Sequence, residues 1–276
     1  MDRKLIIPAL VILAACFLPG SGLDAAGTNP VAKEIQNTEE YFPDEIGSVW
    51  RYKGRTRTDT VERVSEMTFA NEVSAIGTTN IKGETVKIFR ETNQGNKGPT
   101  DGFFRRDKEG ITYYGSQPTT PFEQQLIPYR VLVFPLVMEG TFRQLEKKGV
   151  DMQADLDGDG RHERADVTAD VRVVAHAPVT VPAGTWTDAV QIDASMTIVI
   201  TLTKSRRVIT SRDRITSWFA RGVGLVKYVE EIEAPPVMET RGEVTHVSEE
   251  LEGYALKGTV GASSAPLSPP QPHGRL

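Results

Sequence analysis

Between Val190 and Leu202 apolar and polar residues alternate. Val190, Ile192, Ala194, Met196, Ile198, Ile200 and Leu202 hold one parity. Gln191, Asp193, Ser195, Thr197, Thr201 and Thr203 hold the other, with Val199 the only apolar intruder. A period of two over this length predicts a strand with one buried and one wet face. Shorter stretches of strand character run over 48–53, 64–69, 85–91, 102–106, 111–114, 167–174, 215–220, 224–229 and 242–247. Turn-forming residues separate several of them, at Asp107–Gly110, Asn93–Gly98 and Lys204–Arg207. No segment carries a helical stripe of twelve or more residues; 31–40 has room for a turn or two of helix. The expectation is an all-β fold, an antiparallel sheet curled into a half-barrel or barrel-like single domain over 41–256, with few short helices.

The two ends differ from this body. Arg3 and Lys4 precede an apolar stretch, Leu5–Ala15, too short to span a bilayer and suited to a signal peptide. It ends in Leu13-Ala14-Ala15-Cys16, which resembles the bacterial lipobox. The resemblance implies removal of residues 1–15, a diacylglycerol on Cys16 and, with Phe17 rather than Asp following, an outer-membrane address. The alternative is a plain secretory signal cut after Gly22, with Gly20 at −3 and Cys16 discarded. Residues 16–40 read as a lipid-anchored linker, rich in small residues up to Pro30. Residues 257–276, with four prolines, read as a disordered tail.

Four ordered motifs stand in the body. They are Tyr41-Phe42-Pro43 with Gly47-Ser48-Val49-Trp50-Arg51-Tyr52, Phe134-Pro135 with Gly140, Val179 to Trp186 (VTVPAGTW), and Trp218 to Lys227 (WFARGVGLVK). The set resembles a family of bacterial secreted and lipoprotein β-domains with the pattern FPL-x-VG-x-x-W-x-Y, VPAGTF, WYA-x-GVGLVK. This chain departs from it at Asp44, Ile46, Trp186 and Phe219. The family has no agreed activity, so the resemblance implies an envelope location and a β-fold rather than chemistry. The residues themselves suggest a turn at Pro182-Ala183-Gly184, a bulge around Gly222 and Gly224, and packing roles for Trp50, Tyr52, Trp218 and Tyr228. Phe42-Pro43 and Phe134-Pro135, each followed by Gly, form a faint internal echo.

One segment carries chemistry. In 155–166 (DLDGDGRHERAD), Asp155, Asp157 and Asp159 occupy positions 1, 3 and 5 of a twelve-residue loop, with Gly160 at the sharp turn of position 6. Arg161 would offer its carbonyl, Glu163 would act through a water, and Asp166 stands at position 12. This spacing turns alternate carboxylates inward around a hard cation. It resembles calcium loops of the dockerin and integrin-repeat kind. Strand character after the loop predicts a calcium-binding hairpin rather than an EF-hand, with calcium in a structural role.

Composition narrows the function. There are 37 acidic and 32 basic residues, a net charge of −5, which argues against a general nucleic-acid binder. A single cysteine removes disulfide frameworks and multi-cysteine metal sites. His162, His176, His246 and His273 show no metal-ligand spacing, and no nucleophile elbow, P-loop or GxGxxG is present. Two basic clusters, Arg51/Lys53/Arg55/Arg57 and Lys204/Arg206/Arg207/Arg212/Arg214, fit either solvated strand surfaces or contact with anionic polymer or headgroups. The reading is a membrane-anchored, non-catalytic binding or structural module, with a lipid-like ligand or an envelope protein as partner. The alternative is a calcium-dependent envelope hydrolase using carboxylates. A paired-carboxylate cleft would favour the hydrolase; an apolar cavity without polar residues would favour the carrier.

Overall fold

The computed structural model describes residues 33–92, 98–238 and 241–258. Cys16, the signal peptide, the linker up to residue 32 and residues 259–276 lie outside them, as does most of the Asn93–Gly98 turn. Twelve strands form one antiparallel sheet, nearly closed into a barrel. They are β1 (Val49–Thr60), β2 (Val64–Ile81), β3 (Glu84–Glu91), β4 (Thr100–Asp107), β5 (Gly110–Gln117), β6 (Tyr129–Val133), β7 (Thr141–Asp151), β8 (Arg164–Val181), β9 (Gly184–Thr201), β10 (Val208–Ala220), β11 (Gly224–Ala234) and β12 (Glu243–Ala255). The order β6-β5-β4-β3-β2-β1-β12-β11-β10-β9-β8-β7 is a meander in which β1 and β12 meet at the centre. Its two edges, β6 and β7, are therefore consecutive in sequence. One short helix, α1 (Pro121–Leu126), is capped by Thr120, whose hydroxyl accepts the Glu123 N–H. No helix among the described residues is long and apolar enough to cross a membrane.

The alternating segment is β9, and its apolar parity is buried along its whole length. Cross-strand register carries that parity to Ala165, Val167, Ala169, Val171 and Val173 on β8, and to Ile209 and Ile215 on β10. Opposite residues in an antiparallel pair share a face, so these side chains line one concave surface. The same surface carries rings on β3 to β6. Phe89 meets Phe104 edge-on, Phe104 meets Tyr113, and Tyr113 meets Tyr129, at centroid distances of 5.7, 5.0 and 5.3 Å.

The seam between the edges is bridged at both ends. The Gln125 amide of α1 pairs with the β7 backbone, donating to Asp151 O at 2.9 Å and accepting from Asp151 N at 2.9 Å. At the other end Ile35 N donates to Leu136 O and Met138 N to Lys33 O. Residues 33–48 thus cap one end of the barrel. Asp44 stands where the family pattern has Leu, and it is an ion-pair hub for Lys87 at 3.0 Å and Arg106 at 2.6 Å. The two Phe-Pro motifs meet here, with Phe42 5.8 Å from Phe134. Of the turn or two of helix expected over 31–40, the described residues from 33 on show a 3-10 segment, Thr38–Tyr41.

All ten strand segments read from sequence fall on strands, but most strands are longer. Beyond Lys53, for example, β1 turns Thr56 and Thr58 inward, so the ladder continues with no hydrophobic alternation to show it. Strands β6 and β7 escape for related reasons. β6 has five residues, and β7 is interrupted by register shifts at Arg143/Leu145 and Lys147/Val150 that break its period.

Gly54, on the concave face of β1, is required for space rather than for backbone freedom. A Cβ there would lie 2.2 Å from the ring of Phe69, directly opposite on β2. Gly54→Ala should therefore destabilise the fold by about 1–3 kcal/mol through overpacking. Urea unfolding of the two proteins measures it, and an unchanged midpoint would contradict the packing described.

Candidate functional site

The acidic loop connects β7 to β8. Asp155, Asp157 and Asp159 each offer a carboxylate oxygen, and these lie within 4.8 Å of one another. Backbone amides fold the loop around the first of them. Gly158 N and Asp159 N donate to Asp155 Oδ1, and Gly160 N to Oδ2. Gly158 and Gly160 have φ of 73° and 85°, a left-handed backbone that favours glycine. The β9–β10 turn pins the other two aspartates. Lys204 N donates to Asp157 Oδ2 at 2.8 Å, and Thr203 Oγ1 donates to Asp159 Oδ2 at 2.9 Å.

The remaining predicted ligands divide. Glu163 is fully buried; Oε2 accepts the Leu156 N–H at 2.6 Å while Oε1 has no protein partner. Asp157 Oδ1 is likewise buried and without a partner. Arg161 is exposed, and its N–H donates to Asp159 Oδ1. Asp166 lies outside the group of three: it belongs to β8, beyond the loop, and its carboxylate accepts the Gly149 N–H of the neighbouring strand. His162 stays at the rim, 3.2 Å from Asp151. The Gln153 N–H, ahead of Arg164 and His162, holds the Asp151 carboxyl below its ordinary range. Three converging carboxylates, one of them with an orphaned buried oxygen, suit a hard cation; Glu163, whose Oε1 is also buried and without a partner, is not among the three.

A second constellation lies on the concave face. Register places Glu249 opposite Gly54 on one side and Tyr228 on the other. Glu230 is two residues along β11 from Tyr228, and Asp213 on β10 is diagonal to Glu230. Asn71 reaches past side-chain-free Gly54, its Nδ2 donating to Glu249 Oε2 at 3.0 Å. Glu91, opposite Val73 on β3, ends the row. Asp213, Glu230, Glu249, Asn71 and Glu91 thus form a diagonal stripe across six consecutive strands. Buried polar atoms without partners accompany it: Asn71 Oδ1, Tyr129 OH, Asp213 Oδ1, Ser217 Oγ and Glu230 Oε1.

Burial pushes the Asp213 carboxyl up to about 7, opposed by its hydrogen bond with Glu230. Burial, then the charge of Asp213, drives Glu230 well above the ordinary carboxyl range. Glu91 is raised to about 7 by burial and then by Glu249. Glu249 is itself raised by burial, against the stabilising Asn71 amide. None of these residues was singled out from sequence. The available signal was parity: Asp213 shares the buried parity of Ile209, Ile215 and Phe219, where a charge is out of place.

The convex face behaves in the opposite way. Arg51–Glu72, Arg90–Asp101, Arg143–Asp170, Arg214–Glu231 and Lys227–Glu250 are ion pairs between directly opposed residues. Arg55 and Arg57 pair with Glu66 and Asp59. Three of the four residues of the first basic cluster, and Arg212 and Arg214 of the second, are thus set against cross-strand or neighbouring carboxylates. Among the aromatic residues of the motifs, Trp50 and Tyr52 are buried and donate to the carbonyls of Val223 and Leu225 at 2.7 and 2.9 Å. Trp218 is half-buried beneath Lys227.

No protein-family model and no curated protein matches the chain. Two solved structures are similar. One is described as an exported protein with a YmcC-like fold, from Bacteroides fragilis NCTC 9343. The match covers 78% of this chain and 98% of that one, at 11% identity and a TM-score of 0.35. The other is described as a lipoprotein, from Parabacteroides distasonis ATCC 8503, with the same coverage, 15% identity and a TM-score of 0.34.

The buried carboxyls fix a sign for pH dependence. Asp213 holds its proton to about pH 7 when folded and releases it near its ordinary value of 3.8 when unfolded. Between those values the native state binds more protons, so this group's contribution to stability is present at low pH and lost as pH rises through about 7. Asp213→Asn should flatten the fall in unfolding free energy between about pH 4 and 7, and should be the more stable protein at pH 8. Parallel wild-type and variant curves would refute this.

Proposed function

We propose that this chain is a lipid-anchored protein of the bacterial envelope that binds a ligand on its concave face and holds calcium in its acidic loop. The observation that carries the binding reading is the set of buried polar atoms without partners along that face. Unsatisfied buried groups cost about 1–3 kcal/mol each, and a ligand that supplies partners recovers that cost. The anchor rests on the lipobox resemblance at Cys16. Cys16 precedes Lys33 by 17 residues, a reach of at most ~60 Å when extended. Such a leash would hold the capped end toward the membrane and leave the other end accessible.

Calcium is supported by the three converging aspartates and by the buried, unpartnered Asp157 Oδ1 and Glu163 Oε1. The ion would neutralise the carboxylates and tie the β7–β8 loop to the β9–β10 turn. Asp166 is replaced in this reading by Glu163, the buried carboxylate adjoining the loop.

A second reading, an envelope hydrolase, draws on the Asp213–Glu230 pair, since two carboxyls with separated protonation are the machinery of acid–base catalysis. The binding reading is preferred because the buried atoms without partners are not confined to this pair but extend to Asn71, Ser217 and Tyr129.

Two measurements test the proposal. Native mass spectrometry of protein extracted from the envelope should show a chain beginning at acylated Cys16 with a noncovalent small molecule bound; an unacylated, ligand-free chain would overturn it. Calorimetry should give calcium binding near 10⁻⁴–10⁻³ M, weakened about tenfold or more by Asp157→Asn. Absence of heat at millimolar calcium would remove the ion from the reading.

A further inference from the structure

We infer that the concave stripe is a binding site for a linear polycation, a ligand carrying two or more ammonium groups on an aliphatic chain. The inference rests on the binding reading above and names its ligand class. Three observations lead to it.

The first is the sign of the missing partners. Asn71 Oδ1, Asp213 Oδ1 and Glu230 Oε1 have no partner, although the two carboxyl groups hydrogen-bond each other, and Ser217 Oγ and Tyr129 OH are hydroxyls without partners. All five residues are at least nine-tenths buried. Among the described residues, no lysine, arginine or histidine makes an ion pair with Glu91, Asp213 or Glu230, although carboxylates on the convex face are widely paired. What the stripe lacks is N–H donors and positive charge.

The second is spacing. Asp213 and Glu230 hydrogen-bond each other, while Glu230 and Glu249 are diagonal neighbours on adjacent strands, a relation whose backbone positions are about 7–8 Å apart. Calcium needs six to eight oxygens at about 2.3–2.6 Å. Among the described residues only Asp155, Asp157 and Asp159 bring three acidic ligand atoms within 4.8 Å. The stripe is too drawn out for one metal ion and suits charges spaced along a chain.

The third is the wall and the way in. Tyr52 and Tyr228 flank the stripe, and ring faces accept both ammonium groups and the methylenes between them. Away from the cap formed by residues 33–48, the concave face continues through Thr56, Thr58, Ser65 and Met67, which are half-buried or exposed. At this end the concave face meets solvent.

The test is calorimetric titration of the purified protein with spermidine at low ionic strength. Binding is expected for wild type, and Glu230→Gln and Asp213→Asn should each weaken it at least tenfold. Both variants should unfold at a temperature no lower than wild type, because each replaces a buried carboxyl by an amide of the same shape that cannot ionise. Glu66→Gln, on the convex face, should bind as wild type does. Absence of heat at millimolar spermidine, equal binding by all four proteins, or equal loss in Glu66→Gln would overturn the inference. So would calcium chloride displacing spermidine from wild type together with loss of that calcium binding in Glu230→Gln, since the stripe would then hold a metal. A lipid mass in the native spectrum with no response to spermidine would overturn the polycation and leave the binding reading standing.

Discussion

Curling a meander of twelve strands sends every second side chain into one enclosed space, and that space must be filled. Strands β7 to β10 fill their share with Val, Ile, Ala and Met, and β3 to β6 with a row of rings. This is ordinary hydrophobic burial, worth about 1.5–3 kcal/mol for each large side chain. On β10 to β12 and β1 to β3 the filling changes character, with carboxyls, an amide and hydroxyls at inward positions. Gly54 makes room for Phe69 and lets Asn71 reach Glu249 across an intervening strand. The polar stripe is therefore built into the packing rather than left over from it.

The curl also leaves an edge problem. An open β-edge invites pairing with other chains, and here both edges fall between β6 and β7. The molecule closes that seam with side-chain and loop substitutes for a ladder: the Gln125 amide on Asp151, and residues 33–35 against 136–138. The segment that closes the seam is the one that follows the linker, so the predicted anchor and the barrel cap are close in sequence. Lys87 and Arg106 reach Asp44 from inside, tying the cap to β3 and β4.

Charge is sorted by face. Outside, arginines and lysines stand opposite aspartates and glutamates, each such pair contributing a few tenths to about 1 kcal/mol. Along the concave stripe, carboxyls stand beside carboxyls, raised in pKa chiefly by burial. The modest net charge of −5 conceals this separation entirely.

Alternation in β9, turn residues and the lack of helical stripes were sufficient to read the fold class, because a half-buried strand writes its burial directly into a period of two. The acidic loop was legible for a similar reason, since its ligand spacing is local, and Asp155, Asp157 and Asp159 do converge. Asp166 falls outside the group because the chain enters β8 two residues before it, a boundary set by pairing with β7 and β9. The stripe was not legible. Glu91, Asp213, Glu230 and Glu249 lie up to 158 positions apart, and only register across six strands aligns them. That register is decided by the β1–β12 pairing and by bulges, which are properties of the closed sheet and not of any one segment.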